Sequence, residues 1–258
     1  MPRLFAQLLL LSCALFTSAS FAADKPVRVI LVGDSTMATR SGYGDALCQR
    51  FVPEVSCVNL ARGGRSSGSF RAEGRWDEVQ KLLAECSSYS ASYVLVQFGH
   101  NDQPGKPGRS TDLVTQFPAN MARYAAEVTA AGGIPVLVTP LTRRSFKGPY
   151  LHDDLAPWSA ATRRVAHEQH VALLDLNTLS ANAVQAMGSA EADTLAQEPP
   201  PATPAVGSTT AGTEPQGAPK SAFDRTHVGP KGAGVFSAMV AAELVRLYPS
   251  LKTWIKQP

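Results

Sequence analysis

Apolar residues fall into two patterns along this chain. Unbroken runs rich in β-branched side chains occur at Val27–Val32, Val55–Leu60, Tyr93–Phe98, Ile134–Val138 and Val171–Leu176. A continuous run, unlike an alternating one, predicts a strand covered on both faces. Between most of these runs apolar residues recur at helical spacing. Trp76, Val79, Leu82, Leu83 and Cys86 share one face of Arg75–Cys86, and Met121, Tyr124 and Val128 share one face of Pro118–Ala131. Proline fits the first turn of a helix and breaks its middle, so the second helix is predicted to start at Pro118; Gly132-Gly133 ends it. A last helix is predicted over Pro230–Tyr248. Strands alternating with helices imply one α/β domain, a parallel sheet with helices on both faces, whose chemistry lies beyond the carboxyl ends of the strands.

Two stretches fall outside this pattern. Residues 1–22 read as a signal peptide: Pro2-Arg3 starts it, Leu4 to Phe16 is mostly apolar, and Ser20-Phe21-Ala22 is a small-x-small cleavage site before Ala23. The mature chain, 23–258, is then expected to be a soluble protein of the periplasm or the medium. Lipoprotein processing at Leu10-Leu11-Ser12-Cys13 is the lesser alternative. No other segment reaches the ~20 apolar residues of a membrane span. Residues 189–221 hold Pro199, Pro200, Pro201, Pro204, Pro215 and Pro219 among Ala, Thr and Gly, with no aromatic residue. They predict a disordered loop inserted within the single domain.

The 258 residues are 44% hydrophobic and 17% charged, a globular composition. Loss of Arg3 with the signal lowers the net charge by one from +3. No basic block appears, so no nucleic-acid partner is expected. Cys13 also leaves with the signal. Cys48 near a helix end and Cys57 early in the next strand are expected to pair, leaving Cys86 free.

Four segments carry candidate chemistry. Gly33-Asp34-Ser35-Thr36-Met37-Ala38 follows the first strand; glycine permits a tight turn, and a helix starting there would expose the Ser35 hydroxyl at its N-terminus. Simple helix capping by Ser35 and Thr36 is the plainer alternative. Asn59-Leu60-Ala61-Arg62-Gly63-Gly64-Arg65-Ser66 follows the second strand, and its glycines would let a backbone N–H approach a ligand, unless they only make a turn. Phe98-Gly99-His100-Asn101-Asp102 follows the third, where the Asn101 amide can donate to an oxyanion or close an Asx turn. In Asp224-Arg225-Thr226-His227-Val228-Gly229-Pro230 a carboxylate three residues before an imidazole can orient it, or both can be turn residues.

Together, in order and residue type, these segments resemble the SGNH (GDSL-type) hydrolases. Gly33-Asp34-Ser35 looks like the first block, Gly64 and Asn101 stand where the second and third blocks have their glycine and asparagine, and Asp224 with His227 match the final Asp-x-x-His. Gly-Asp-Ser-Thr-Met-Ala, Asn-x-Ala-x-x-Gly-Arg-Ser, the Arg-x-Glu-Gly-Arg stretch at Arg71–Arg75 and Phe-Gly-His-Asn-Asp resemble the rhamnogalacturonan acetylesterase branch. The resemblance runs from about Val27 to Tyr248. It implies a three-layer, flavodoxin-like fold with a five-stranded parallel sheet, catalysis by Ser35, His227 and Asp224, and an oxyanion hole from the Ser35 and Gly64 N–H groups and the Asn101 amide. It also implies an acetylated polysaccharide or oligosaccharide, such as pectin, as substrate, and no metal or organic cofactor. A lipase-like esterase or thioesterase with the same triad is the alternative activity, and a silent glycan-binding protein the alternative of another class.

Arg143 and Arg144, with Lys147, follow the fourth strand where such a site opens. They are candidates for attracting an acidic polysaccharide, against a plain solvated loop. His167 points away from the face set by Trp158, Ala161 and Val165, so His167 and His170 are expected in solvent; His152-Asp153-Asp154 lacks a further ligand at metal-site spacing.

Overall fold

The computed structural model describes residues 25–198 and 223–256. The expected signal peptide and Cys13 lie outside the described residues, as does the stretch 199–221 of the expected loop. In chain order the elements are β1 (Val27–Gly33), α1 (Gly44–Cys48), β2 (Ser56–Asn59), α2 (Ser69–Ala72), α3 (Arg75–Leu83), β3 (Ala91–Gln97), α4 (Gln116–Ala130) and β4 (Ile134–Val138). There follow a two-stranded hairpin, β5 (Phe146–Lys147) and β6 (Tyr150–Leu151), then α5 (Ala156–Glu168), β7 (Ala172–Leu174), α6 (Leu176–Asp193) and α7 (Pro230–Leu247).

The main sheet has five parallel strands in the order β2-β1-β3-β4-β7. The unbroken apolar runs are explained by two cores. Side chains alternate across a strand, so Val29 and Leu31 of β1, with Tyr93, Leu95, Val136 and Val138, pack under Leu47, Val184, Phe236, Val240 and Leu244 of α1, α6 and α7. Ile30 and Val32, with Val94, Val96 and Leu137, face Trp76, Val79, Met121, Tyr124, Val128, Trp158 and Val165 of α3, α4 and α5 on the other side. This is the expected three-layer α/β arrangement.

Boundaries differ where polar side chains decide them. The fifth run was expected as strand to Leu176, but the Asp175 carboxylate accepts the Thr178 N–H and caps α6, so Leu176 opens a helix instead. Helix α4 starts at Gln116, with Pro118 still in its first turn, where no proline N–H is needed. The first residues of the loop expected from 189 are not loop: α6 continues to Asp193 past a kink at Gly188, Ala192 and Leu195 are buried, and Ala196 bridges to Val228. These apolar anchors outweigh the polar composition around them.

Cys48 and Cys57 form a disulfide, with Cα atoms 5.3 Å apart, and Cys86 is free. Closing so short a loop between α1 and β2 stabilises the fold by roughly 2–3 kcal/mol in the chain-entropy account.

Because every strand of the main sheet runs the same way, the loops after β1, β2, β3 and β4 gather at one edge. The connection order reverses between β1 and β3, the place where such sheets open a crevice.

Candidate active site

The chain leaves β1 through a tightly built turn. Asp34 is fully buried; its Oδ1 accepts the Thr36 N–H (2.9 Å) and hydroxyl (2.8 Å), and its carbonyl accepts the N–H groups of Met37 and Ala38. A single helical turn results. It does not continue into the expected helix: Arg40 takes a left-handed φ of 69°, and α1 begins only at Gly44. Ser35 is therefore presented by a turn, not by a helix N-terminus. Gly42 folds back on this turn so closely that a Cβ there would lie 2.3 Å from the Thr36 carbonyl.

Asp34 Oδ2 pairs with Nδ1 of buried His100, 3.2 Å away. Burial pulls the His100 pKa below the ordinary imidazole value, so the ring is neutral and donates its Nδ1–H to Asp34. Burial acts against the Asp34 carboxylate, but His100 and the Thr36 donors outweigh it and keep it ionised. Both residues lie in segments singled out by sequence; their pairing across 66 positions had no sequence signal.

The loop after β2 comes against Ser35. A Cβ on Gly63 would lie 3.8 Å from the Ser35 Cβ, and Gly64 adopts φ +78°, a conformation that favours glycine. The Asn101 side-chain amide, almost fully buried, donates one hydrogen to the Arg65 carbonyl at 3.0 Å and keeps a second. Among the described residues, neither the Ser35 N–H nor the Gly64 N–H has a hydrogen-bond acceptor.

The two glycine-bearing loops are tied together by Asp102. Its buried carboxylate accepts the Ser67 hydroxyl (2.6 Å), the Ser67 N–H and the Thr111 hydroxyl (2.9 Å). Burial raises its pKa to about 6, against the pull of those donors. Between the ordinary value of 3.8 and about 6 the folded protein holds a proton that the unfolded chain has lost, so stability falls as pH rises through that window and is flat above it. Relative to Asp102→Asn, the wild-type protein is expected to lose up to about 3 kcal/mol between pH 4 and 6.5. Denaturant titrations at the two pH values check this; a constant difference between the proteins would refute it.

The segment 223–229 is held from four sides. Arg225 makes a bidentate pair with Asp193 (2.9 and 2.8 Å), the Val228 N–H bonds the Ser41 carbonyl, and the Gly229 N–H bonds the Leu195 carbonyl. The fourth support is Arg144. It is fully buried, its backbone N–H bonds the Arg225 carbonyl, and its Nη2 donates to the carbonyls of Asp224 (3.2 Å) and His227 (2.8 Å). Burial lowers its pKa to about 10, with Asp224 and Asp193 opposing.

The expectation that Arg143 and Arg144 meet substrate is thus corrected. Arg144 is an internal strut, and Arg143 is consumed by Asp154, Gln103 and the Thr226 hydroxyl. Lys147 is exposed in the small hairpin. His152, His167 and His170 are exposed, Asp153 accepts from the Leu155 N–H and the Asn177 amide, and no cluster of three metal-ligating side chains occurs among the described residues.

So held, His227 reaches the first strand's turn. Its Nε2 lies 2.8 Å from the Ser35 Oγ, and its Nδ1 lies 2.7 Å from Asp224 Oδ2. Asp224 Oδ1 accepts the N–H groups of Thr226 (2.8 Å) and His227 (3.0 Å). Partial burial would raise the Asp224 pKa, but these three donors hold it well below the ordinary carboxylate range. The carboxylate fixes the hydrogen on Nδ1, which leaves the Nε2 lone pair to accept from the Ser35 hydroxyl. Ser41 joins the two halves, its hydroxyl donating to the Ser35 carbonyl at 2.8 Å while its own carbonyl holds Val228. An alcohol, an imidazole and a carboxylate in this order can generate a nucleophile at neutral pH.

The sequence profile of the GDSL-like lipase/acylhydrolase family matches residues 31–204. The chain belongs to this family of ester hydrolases. It is 30% identical over 236 residues to a rhamnogalacturonan acetylesterase of Bacillus subtilis (strain 168), covering 88% of this chain and 94% of the relative. Among solved structures it resembles the Bacillus subtilis protein YXIM (TM-score 0.64, 21% identity), covering 87% of this chain and 57% of that one. It also resembles an acetylxylan esterase from Geobacillus stearothermophilus (TM-score 0.56, 16% identity), covering 90% of this chain and 97% of that one. At these identities the structural likenesses speak for the GDSL-family fold alone.

Proposed function

We propose that this GDSL-family protein is an exported esterase that removes acetyl groups from a plant cell-wall polysaccharide of the rhamnogalacturonan type. The observation that carries the chemistry is the unbroken hydrogen-bonded line from Ser35 through His227 to Asp224. His227 Nε2 takes the Ser35 proton as Oγ bonds to the acetyl carbonyl carbon, and Asp224 stabilises the imidazolium. The negative charge on the former carbonyl oxygen is met by the unpartnered N–H groups of Ser35 and Gly64 and the second hydrogen of the Asn101 amide. Collapse of this tetrahedral adduct breaks the bond to the sugar oxygen, which leaves with the proton from Nε2. Water then attacks acetyl-Ser35, giving its proton to His227; the bond from the acetyl carbon to Oγ breaks, Oγ takes that proton back from Nε2, and acetate and the free Ser35 hydroxyl result.

The acetyl-polysaccharide reading is supported by what the Bacillus subtilis relative is named for, a likeness that extends over most of both chains. Export is supported by the signal-like residues 1–22 and by the Cys48–Cys57 disulfide, a bond of oxidising compartments. No helix among the described residues is long and apolar enough to cross a membrane.

The test is acetate release by protein recovered from the periplasm or medium, its N-terminus read by mass spectrometry. Acetylated rhamnogalacturonan, acetylated xylan, an aryl acetate and a long-chain acyl ester serve as substrates. Ala23 at the N-terminus and the highest kcat/KM on the pectic polymer are expected. Preference for the long acyl ester would replace this reading with a lipase-like one.

A further inference from the structure

Next to the Gly64 loop a cleft of about 510 Å³ opens between the segments that follow β2 and β3, with the first turns of α4 as a further wall. Its size suits a sugar unit or two. Gly68, Ser69, Thr111, Gln116 and Asn120 line it as small or neutral polar residues, and Arg109 is the one charged residue of its lining.

Arg109 stands apart from the other partly buried arginines around the site. Arg65 pairs with Glu73, Arg71 with Glu127, Arg143 with Asp154 and Arg225 with Asp193. The guanidinium of Arg109 makes one long hydrogen bond, 3.4 Å, to the Gly64 carbonyl, and no carboxylate of a described residue reaches it. The nearby acids are occupied: Asp102 by Ser67 and Thr111, and Asp112 by the N–H groups of Val114 and Thr115 and the Thr115 hydroxyl. A fork of donors with no anion of its own, over a neutral polar cleft, fits the planar carboxylate of a ligand.

We infer that Arg109 is a specificity-determining residue that binds the carboxylate of a uronic-acid unit of the acetylated glycan. This rests on the polysaccharide acetylesterase reading above. The glycan would pass from Ser35 over Gly63 and Gly64 into the cleft, so that an acidic polymer is preferred over a neutral one by a contact outside the reacting atoms.

The experiment compares kcat/KM on one acetylated pectic oligosaccharide in two forms, with its carboxylates free and with them methyl-esterified, and includes a neutral aryl acetate. Wild-type protein is expected to favour the free acid by about tenfold, the size of one half-exposed charge-assisted contact. That preference should shrink with added salt. In Arg109→Gln the ratio is expected to fall to about one, and Arg109→Lys should retain part of it. The ratio is internal to each protein, so a general loss of activity does not affect it. A wild type that hydrolyses the aryl acetate and the methyl ester yet shows no acid preference overturns this inference alone. So does an Arg109→Gln variant that keeps the preference. Failure of the wild type on all three substrates overturns the esterase reading, and this inference falls with it.

Discussion

Ser35→Ala is expected to lower kcat for acetate release by about 10⁴-fold or more, and His227→Ala by a similar factor. The two side chains act as one unit, since the Ser35 hydroxyl gives its proton to the imidazole nitrogen it is hydrogen-bonded to. The double variant should therefore be no slower than either single one. A phosphonate probe should label the wild type on Ser35 and leave both single variants unlabelled. Because three hydrogen-bond donors keep Asp224 ionised well below the ordinary carboxylate pKa, the acid loss of activity should follow protonation of the imidazole, with no added fall near pH 4. Steady-state kinetics and intact-mass analysis check this result. A Ser35→Ala variant with more than about a tenth of normal activity would end the proposed mechanism.

Arg144→Met is expected to give the largest effect away from the reacting atoms. Methionine preserves much of the buried volume but removes the donor that holds the carbonyls of Asp224 and His227. Two part-buried acceptors then lose their partner, at about 1–3 kcal/mol each. The segment carrying the imidazole is also freed to shift by a few tenths of an ångström, which proton transfer does not tolerate. A loss of about 3 kcal/mol in stability, with a 10- to 100-fold fall in kcat, is the expected outcome. Denaturant unfolding and acetate release measured at a temperature where the variant is folded separate the two effects. Normal kcat together with normal stability would show that Arg144 is not the strut described.

The contrast between Arg144 and Arg109 shows where reading from residues stopped. Both are arginines in loops beyond strand ends, and nothing in local spacing distinguishes a buried strut from an open cation. Arg143 and Arg144 drew attention by following the fourth strand, whereas Arg109 sits in a Gly- and Pro-rich loop and carried no signal. Burial and partners decide the matter: Arg144 is fully buried and bonded to carbonyls of the 223–229 segment, and Arg109 lines a cleft whose lining holds no acid. The Asp34–His100 pair was half legible, because both residues stand in motifs whose chemistry was already under suspicion, but their contact depends on β1 and β3 being neighbours.

The same division runs through the fold. Short continuous apolar runs rich in β-branched residues fit strands that feed two cores, since successive side chains point to opposite faces, and five such runs separated by helices leave little choice but a covered parallel sheet. The glycine-containing turns after β1, β2 and β3 were legible for a similar reason: their constraint is local backbone geometry, which a few residues determine. The fifth strand's early end and the helical start of the segment expected as loop from 189 were missed because a single capping carboxylate at Asp175 and two buried side chains, Ala192 and Leu195, override local composition. The sequence by itself thus determined the layers, the edge at which chemistry collects and the residue types available there. Only the tertiary structure decided which groups share a proton, which arginines are neutralised by carboxylates and which remains open to a ligand, because those outcomes depend on distances between segments far apart along the chain.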